Sequence, residues 1–176
     1  CFVFAKTKSF DLKIFVVAAA VLMAVDYAGA QTKQGTHAVG ALFSIGTGDV
    51  DGVGYTNYGL GVKYQWTFLD NLRLEPSLVY YFKKDYISQT DLTANVHYLF
   101  SVASDAIVYP IAGLGYTSYT LDSPAGKDTE SRFAFNFGAG FQYMFNYNWG
   151  LSIEYKYRIV DNINRSNFQF GAVYRF

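Results

Sequence analysis

An all-β fold, eight antiparallel strands closed up-and-down into a transmembrane β-barrel, is predicted by three features of the 176-residue chain. Apolar side chains are abundant, at 51% hydrophobic and 19% aromatic residues, yet the mean hydropathy is only +0.08. Apolar residues interleaved with polar ones give that combination, and membrane helices do not. The final stretch, Ser166 to Phe176, alternates without a slip: Phe168, Phe170, Ala172, Tyr174 and Phe176 fall on one face and Asn167, Gln169, Gly171, Val173 and Arg175 on the other. That is the period-2 signature of a strand, and seven segments before it repeat the pattern between turn signals.

The front of the chain reads differently. Ile14 to Val25 is the only long uninterrupted apolar run, preceded by Lys6, Lys8 and Lys13 and followed by Ala28-Gly29-Ala30-Gln31. A basic region, a short apolar core and small residues before the cut are the parts of a Sec signal peptide, so residues 1–30 are expected to be removed, with cleavage before Gln31. The apolar run falls short of the roughly 20 residues a membrane helix needs. Cys1 stands where an initiator Met would be expected, and it precedes the apolar core, whereas a lipid-modified cysteine would follow it. Cleavage removes three of the 14 basic and two of the 14 acidic residues, leaving 11 and 12. It also removes the sole cysteine, so residues 31–176, the expected barrel domain, carry no disulfide, thiolate chemistry or Cys-based metal site. A formal net charge of zero gives no basic surface for nucleic acid.

Taken in order, the first strand is expected from His37 to Gly46, with Val39, Ala41, Phe43 and Ile45 outward. A turn-forming loop to Gly52 leads to Asn57–Phe68, where Tyr58, Leu60, Val62, Tyr64, Trp66 and Phe68 alternate with Gly, Lys63, Gln65 and Thr67. Asp70-Asn71 turns the chain into Leu72–Phe82. Pro76 lacks an N–H for the ladder and implies a bulge or a locally unpaired position there. The fourth strand runs from Asp91 to Phe100 and the fifth from Ala106 to Tyr119, whose first half is apolar on both faces. The longest loop, Thr120–Ser131, precedes Arg132–Tyr143. A turn at Phe145–Asn148 gives Trp149–Ile159, and Val160–Arg165 connects to the terminal strand. Connections at Leu69–Asn71, Ser101–Asp105 and Phe145–Asn148 are short, as periplasmic turns are. Trp66, Phe68, Phe100, Tyr143, Trp149 and Phe176 then lie at periplasmic strand ends and Tyr58, Tyr80, Phe82, Tyr116, Phe133 and Tyr157 at outer ends, as two aromatic girdles would.

A soluble lipocalin-like barrel would turn the apolar face inward instead. Phe133, Phe135, Phe137, Phe141 and Tyr143 on one strand face would overfill so small an interior, while Gly59, Gly61, Gly113, Gly115, Gly138, Gly140 and Gly171 on the other suit a narrow lumen. The polar face is therefore read as inside. It carries Lys63, Arg73, Glu75, Asp91, His97, Glu154, Lys156, Arg158 and Arg175. Enclosed charges must be paired or hydrated, so Lys63, Arg73, Glu75, Asp91, Glu154, Lys156 and Arg158 are expected to form a lumen charge lattice. Lys63 can meet Glu75, Glu154 can meet Lys156, and Arg73 and Arg158 are left to Asp91 or the remaining acids. Counting Arg175, the inward cations outnumber the acids five to three, which would favour anions in any leak.

The signal peptide, Asn71-Leu72-Arg73-Leu74-Glu75-Pro76-Ser77, Tyr109-Pro110-Ile111-Ala112-Gly113-Leu114-Gly115-Tyr116 and terminal Tyr174-Arg175-Phe176 resemble the small outer-membrane β-barrel family, porin-like relatives of the OmpA transmembrane domain and of OmpX. The end pattern, with Gln169, Gly171, Tyr174 and Phe176, resembles the signal by which such barrels are recognised for assembly. The resemblance implies outer-membrane lipids, barrel-insertion machinery and periplasmic chaperones as partners, and no cofactor. With no peptidoglycan-binding domain after Phe176, anchoring to the cell wall is not expected. The architecture specifies function poorly. A structural, envelope-integrity or surface-interaction role with a closed or very narrow lumen is the reading favoured. A narrow channel for small solutes, an adhesin or receptor with binding loops, and a lipid A-modifying enzyme are the alternatives. Acyl chemistry needs a nucleophile, a base and an orienting acid together, and neither His37 nor His97 lies in such a motif, so both read as polar residues of lumen or interface. Asp49 and Asp51 are too few for a calcium loop, and Asp122, Asp128 and Glu130 read as a solvated loop.

Overall fold

Strand formers at every second position build one antiparallel sheet, which the computed structural model describes over residues 33–50, 53–84, 87–123, 126–160 and 163–176. Its strands are β1 (His37–Val50), β2 (Val53–Leu69), β3 (Leu72–Lys84), β4 (Ile87–Tyr98), β5 (Phe100–Ser101), β6 (Ala106–Ser123), β7 (Gly126–Met144), β8 (Trp149–Val160) and β9 (Ile163–Arg175). Neighbours in sequence are neighbours in space. The terminal strand β9 pairs with β1, from Gly48–Arg165 to Ala38–Arg175, and β4 pairs with β6, so no edge remains around the wall. In hydrocarbon, where water satisfies no backbone group, closure of this kind is what allows strands to span.

The ninth strand is a break in the fourth stave. Phe100 pairs with Val108 and Ser101 with Ile107 in the register of the β4–β6 ladder, so β4 and β5 form one stave and the barrel has eight. Pro110, which has no N–H to give, lies opposite the break, while on the other side the Leu99 N–H continues the β3–β4 register by donating to the Asn71 carbonyl at 2.7 Å. Pro76 behaves in the same way. It pairs with Ala94 of β4, while on its other side the β2–β3 ladder skips between Lys63–Ser77 and Trp66–Leu74 without changing register. The position is locally unpaired rather than bulged.

Outside the bilayer the strands run further than alternation predicts. The stretch expected as the longest loop, Thr120–Ser131, is mostly ladder, from Thr120–Thr129 out to Ser123–Gly126, and β1 and β2 pair out to Val50–Val53. Beyond the lipid no apolar face is required, so the sequence signal stops while backbone pairing continues. On the periplasmic side Asn71, at φ 64°, makes the tight turn into β3, a conformation Asn tolerates better than most residues. Residues 33–36 fold across that mouth: the Gly35 N–H donates to the Thr67 carbonyl, the Thr67 N–H to the Thr36 carbonyl, and the Gln34 N–H to Asp70 Oδ1.

Side chains obey the alternation on both walls. Along β8, Leu151 and Ile153 are more than half exposed to the lipid side, while Glu154 and Lys156 are buried. Aromatic rings cluster at the strand ends, with Trp66 against Phe68, Tyr98 against Phe100 and Trp149 against Tyr174 at one rim and Tyr80 against Phe82 and Tyr116 against Phe133 at the other. Inward glycines make room for inward tyrosines. A Cβ on Gly140 would sit 2.4 Å from the Tyr109 ring, and one on Gly59 3.0 Å from that of Tyr81.

Phe137, near the middle of β7, presents its ring to lipid. Phe137→Arg is expected to lower stability by roughly 2–4 kcal/mol, the cost of a cation at the bilayer midplane, whereas Phe137→Leu should change it little. Denaturant titration of protein refolded into lipid vesicles measures both.

Candidate functional site: the charged lumen

Each inward charge is delivered by a strand whose opposite face is fixed in lipid, so side chains from opposite walls are driven together. Lys63 on β2, Glu75 on β3 and Glu154 and Lys156 on β8 meet across the lumen. Lys63 Nζ lies 2.5 Å from Glu154 Oε1 and 3.3 Å from Glu75 Oε2. Lys156 Nζ lies 2.7 Å from Glu154 Oε2 and 3.4 Å from Glu75 Oε1. Each lysine thus bridges both carboxylates, and the four charges cancel. Gln65 donates to Glu75 at 2.8 Å, Ser152 accepts from Lys63 at 3.0 Å, Gln169 accepts from Lys156 at 2.9 Å and Tyr109 donates to Glu154 at 3.0 Å. Neutral groups complete the shell that buried charges require.

Toward the periplasm lies Arg73, and here the sequence expectation needs correction. Its partners are neither Asp91 nor a glutamate. Nη1 donates to Gln65 and Gln142, Nε and Nη2 donate to His97 Nδ1, and the guanidinium lies 4.5 Å from the centre of the Tyr109 ring. A guanidinium only donates, so His97 Nδ1 accepts and the imidazole carries its proton on Nε2, which lies 3.9 Å from Glu75 Oε1 without a hydrogen bond. His97 stacks on Tyr109 at 4.8 Å. Below this layer Leu99, Ile107, Tyr109 and Ile111 form an apolar cluster at the periplasmic end. It is the stretch that reads as apolar on both faces.

Toward the outside, Asp91 takes two cations. Arg158 and Arg165 both pair with its Oδ2, and Gln89 donates to Oδ1 at 2.7 Å. Arg158 also donates to Asn136 and Thr117, and Arg165 to Asn167 while lying 4.5 Å from the Tyr81 ring. Arg165 is the lumen cation absent from the inward set read from the sequence, where it falls in the connection Val160–Arg165; the inward rings of Tyr81 and Tyr109 are absent from that set as well. The signal was present, since Arg165 continues the inward series of Asn167, Gln169 and Gly171 by steps of two.

Arg175 is corrected in the other direction. It follows the inward alternation but stands half-buried at the periplasmic rim, donating to the Tyr147 carbonyl and stacking on the Tyr147 ring. Exchanging Arg175 for Arg165 leaves five cations and three carboxylates buried in the lumen among the described residues. The histidines separate as well: His97 is in the lumen, and His37 is at the interface, with Tyr64 Oη 2.7 Å from its Nδ1 and Trp66 and Phe176 stacked on it. In the terminal strand Gln169 and Gly171 face inward and Tyr174 and Phe176 outward, and the Phe176 N–H donates to the His37 carbonyl at 3.1 Å. Residues 1–30, the cleavage site before Gln31 and Asp51 lie outside the described residues.

Among the described residues no group of three His, Cys, Asp or Glu side chains could hold a metal ion. A concavity of about 690 Å³ along Val39, Ala41, Val62, Leu78, Leu92 and Ala172 lies on the outer wall, where the lining is apolar.

Breaking the four-charge cluster leaves a lysine with half its counter-charge. Glu154→Ala is expected to lower stability by about 3–5 kcal/mol, as for one partner of a buried pair. Combining it with Lys156→Ala should cost less than the two single changes added together. Urea unfolding of the refolded variants gives the coupling.

The same fold recurs among solved structures. Neisserial surface protein A, NspA, is 16% identical over 80% of this chain and 97% of its own, with a TM-score of 0.71. Ail, the attachment invasion locus protein of Yersinia pestis, is 19% identical over 81% and 99%, with a TM-score of 0.64. The N-terminal β-barrel domain of Pseudomonas aeruginosa OprF is 19% identical over 81% and 100%, with a TM-score of 0.57. No curated relative matches by sequence. Residues 15–176 match the outer membrane protein beta-barrel domain family, and with its closed eight-stave wall and lipid-facing aromatic surface the chain belongs to that family, as an integral protein of the outer membrane.

Proposed function

We propose that this protein is a structural component of the outer membrane, a closed barrel that contributes to envelope integrity and displays its outer hairpins, without catalysis. The observation that carries the reading is the bridging of both glutamates by both lysines from opposite walls, which occupies the lumen with paired side chains. An eight-stranded barrel has an interior that side chains fill, and here the fill is cross-linked by charge. The β6–β7 ladder, carried out to Ser123–Gly126, supports the display part of the reading, and a similar barrel, Ail, is named for attachment and invasion. Planar-bilayer recording of the refolded protein tests closure. The wild type should show little or no conductance, and Glu75→Ala or Glu154→Ala should open small, anion-favouring events. Large, stable, non-selective openings in the wild type would overturn the reading.

Assembly is part of the same proposal. Residues 1–30 serve as a Sec signal peptide, periplasmic chaperones carry the mature chain, and Gln169, Gly171, Tyr174 and Phe176 present the terminal strand to the insertion machinery. Cell fractionation with intact-mass analysis should find outer-membrane protein beginning at Gln31, and deletion of Phe176 should reduce the amount inserted. Normal insertion without Phe176 removes the terminal-signal role.

A further inference from the structure

The lumen charges do not cancel layer by layer. The central cluster is neutral, with Lys63 and Lys156 against Glu75 and Glu154, and the outer cluster sets Arg158 and Arg165 against Asp91 alone. In the periplasmic layer Arg73 is only 3% exposed, and among the described residues no carboxylate pairs with it. Its acceptors are two glutamine oxygens and one imidazole nitrogen, all neutral. Of the five guanidinium N–H groups, one on Nη2 has no acceptor among the described residues. A buried cation held only by neutral groups bears most of its desolvation cost without a counter-charge.

Beside Arg73 is a cavity of about 30 Å³, lined by Arg73, Arg175, Gln65, Gln142, Thr36 and Thr67 together with the apolar side chains of the periplasmic end. Thr36 and Arg175 are half-exposed, so the cavity opens toward the periplasm. Both of its charged lining residues are cations. Arg175 donates to a carbonyl and stacks on a ring, again without a carboxylate among the described residues. The volume exceeds the roughly 10–15 Å³ that a single water-sized occupant needs, so a monatomic halide fits.

We propose that this cavity is a halide site: an anion of chloride size, entering from the periplasm, sits between the Arg73 and Arg175 guanidinium groups with the Thr and Gln side chains around it. The anion supplies the charge that the periplasmic layer lacks. This site needs no through-path, so it stands whether or not the barrel conducts.

The test is chloride-35 NMR of the protein refolded in a zwitterionic detergent, with empty micelles as the blank and gluconate holding ionic strength constant. The wild type should broaden the chloride line saturably, and bromide or iodide should displace the bound ion. Arg73→Gln should weaken binding at least tenfold, while Arg165→Gln, which alters the outer cluster, should leave it unchanged. Heat-modifiable electrophoretic mobility reports folding of each variant. If Arg73→Gln does not fold, Arg175→Gln replaces it, with at least threefold weaker binding expected. Absence of a saturable component in the folded wild type means that the cavity holds water only and overturns the proposal. Equal affinity in a folded Arg73→Gln or in its Arg175→Gln replacement overturns it too.

Discussion

Everything in this molecule follows from the absence of water around its wall. In hydrocarbon each backbone N–H and C=O must find a partner in the chain, and strands meet that condition only when the sheet has no edge. The β1–β9 and β4–β6 ladders close it. The exceptions are instructive because they occur where a donor is missing. Pro76 and Pro110 each sit where the ladder on one side lapses, while the Leu99 N–H keeps its bond to the Asn71 carbonyl on the other side of its stave. A closed wall with period-2 side chains then leaves no choice about the interior. What cannot face lipid must face the lumen, and in an eight-stave barrel the lumen is only wide enough for the side chains themselves.

That confinement explains why the lumen is stratified. Large inward groups need glycines opposite them, so Tyr109 lies over Gly140 and Tyr81 over Gly59. Those two tyrosines then each take an arginine on the ring face, at 4.5 Å in both cases, one on either side of the lysine–glutamate cluster. A tyrosine face offers a buried guanidinium an electrostatic partner that carries no charge of its own. It does not neutralise the cation, and the lumen retains five buried cations to three carboxylates.

The wall was legible in the sequence because lipid enforces the pattern that periodicity detects. Strand identity, the face turned to lipid and the short periplasmic turns all follow from alternation between Gln31 and Phe176. Legibility ended where that constraint ends. Outside the bilayer β6 and β7 remain paired through a stretch whose composition reads as loop, and the break at Leu99 depends on a proline in another strand. The lumen was legible by membership and, for neighbours, by partner. Lys63 meets Glu75 and Glu154 meets Lys156 as counting on the inward face suggests, but the joining of the two pairs into one cluster depends on stagger across the barrel. Arg73 was assigned to an acid and bonds to neutral groups. Arg165 was hidden by a boundary drawn at Ser166, three residues after the strand begins at Ile163.

Stagger is also what the charge cluster governs. In the order β4-β3-β2-β1-β9-β8-β7-β6, strands β3 and β8 stand on opposite walls, and no backbone bond links them. A slip of one residue in any ladder turns an apolar face into the lumen and is excluded by lipid. A slip of two keeps every face correct, so alternation cannot resist it. The ion pairs can. Moving β8 by two residues past β9 would carry Glu154 and Lys156 one full step along the lumen from Lys63 and Glu75, into layers already occupied by Arg73 and Gln142 or by Asn136 and Thr117. Buried ion pairs add little net stability over a packed apolar core, yet breaking one is costly. That asymmetry penalises a two-residue slip that alternation alone tolerates, and so adds to the register that the short turns already impose.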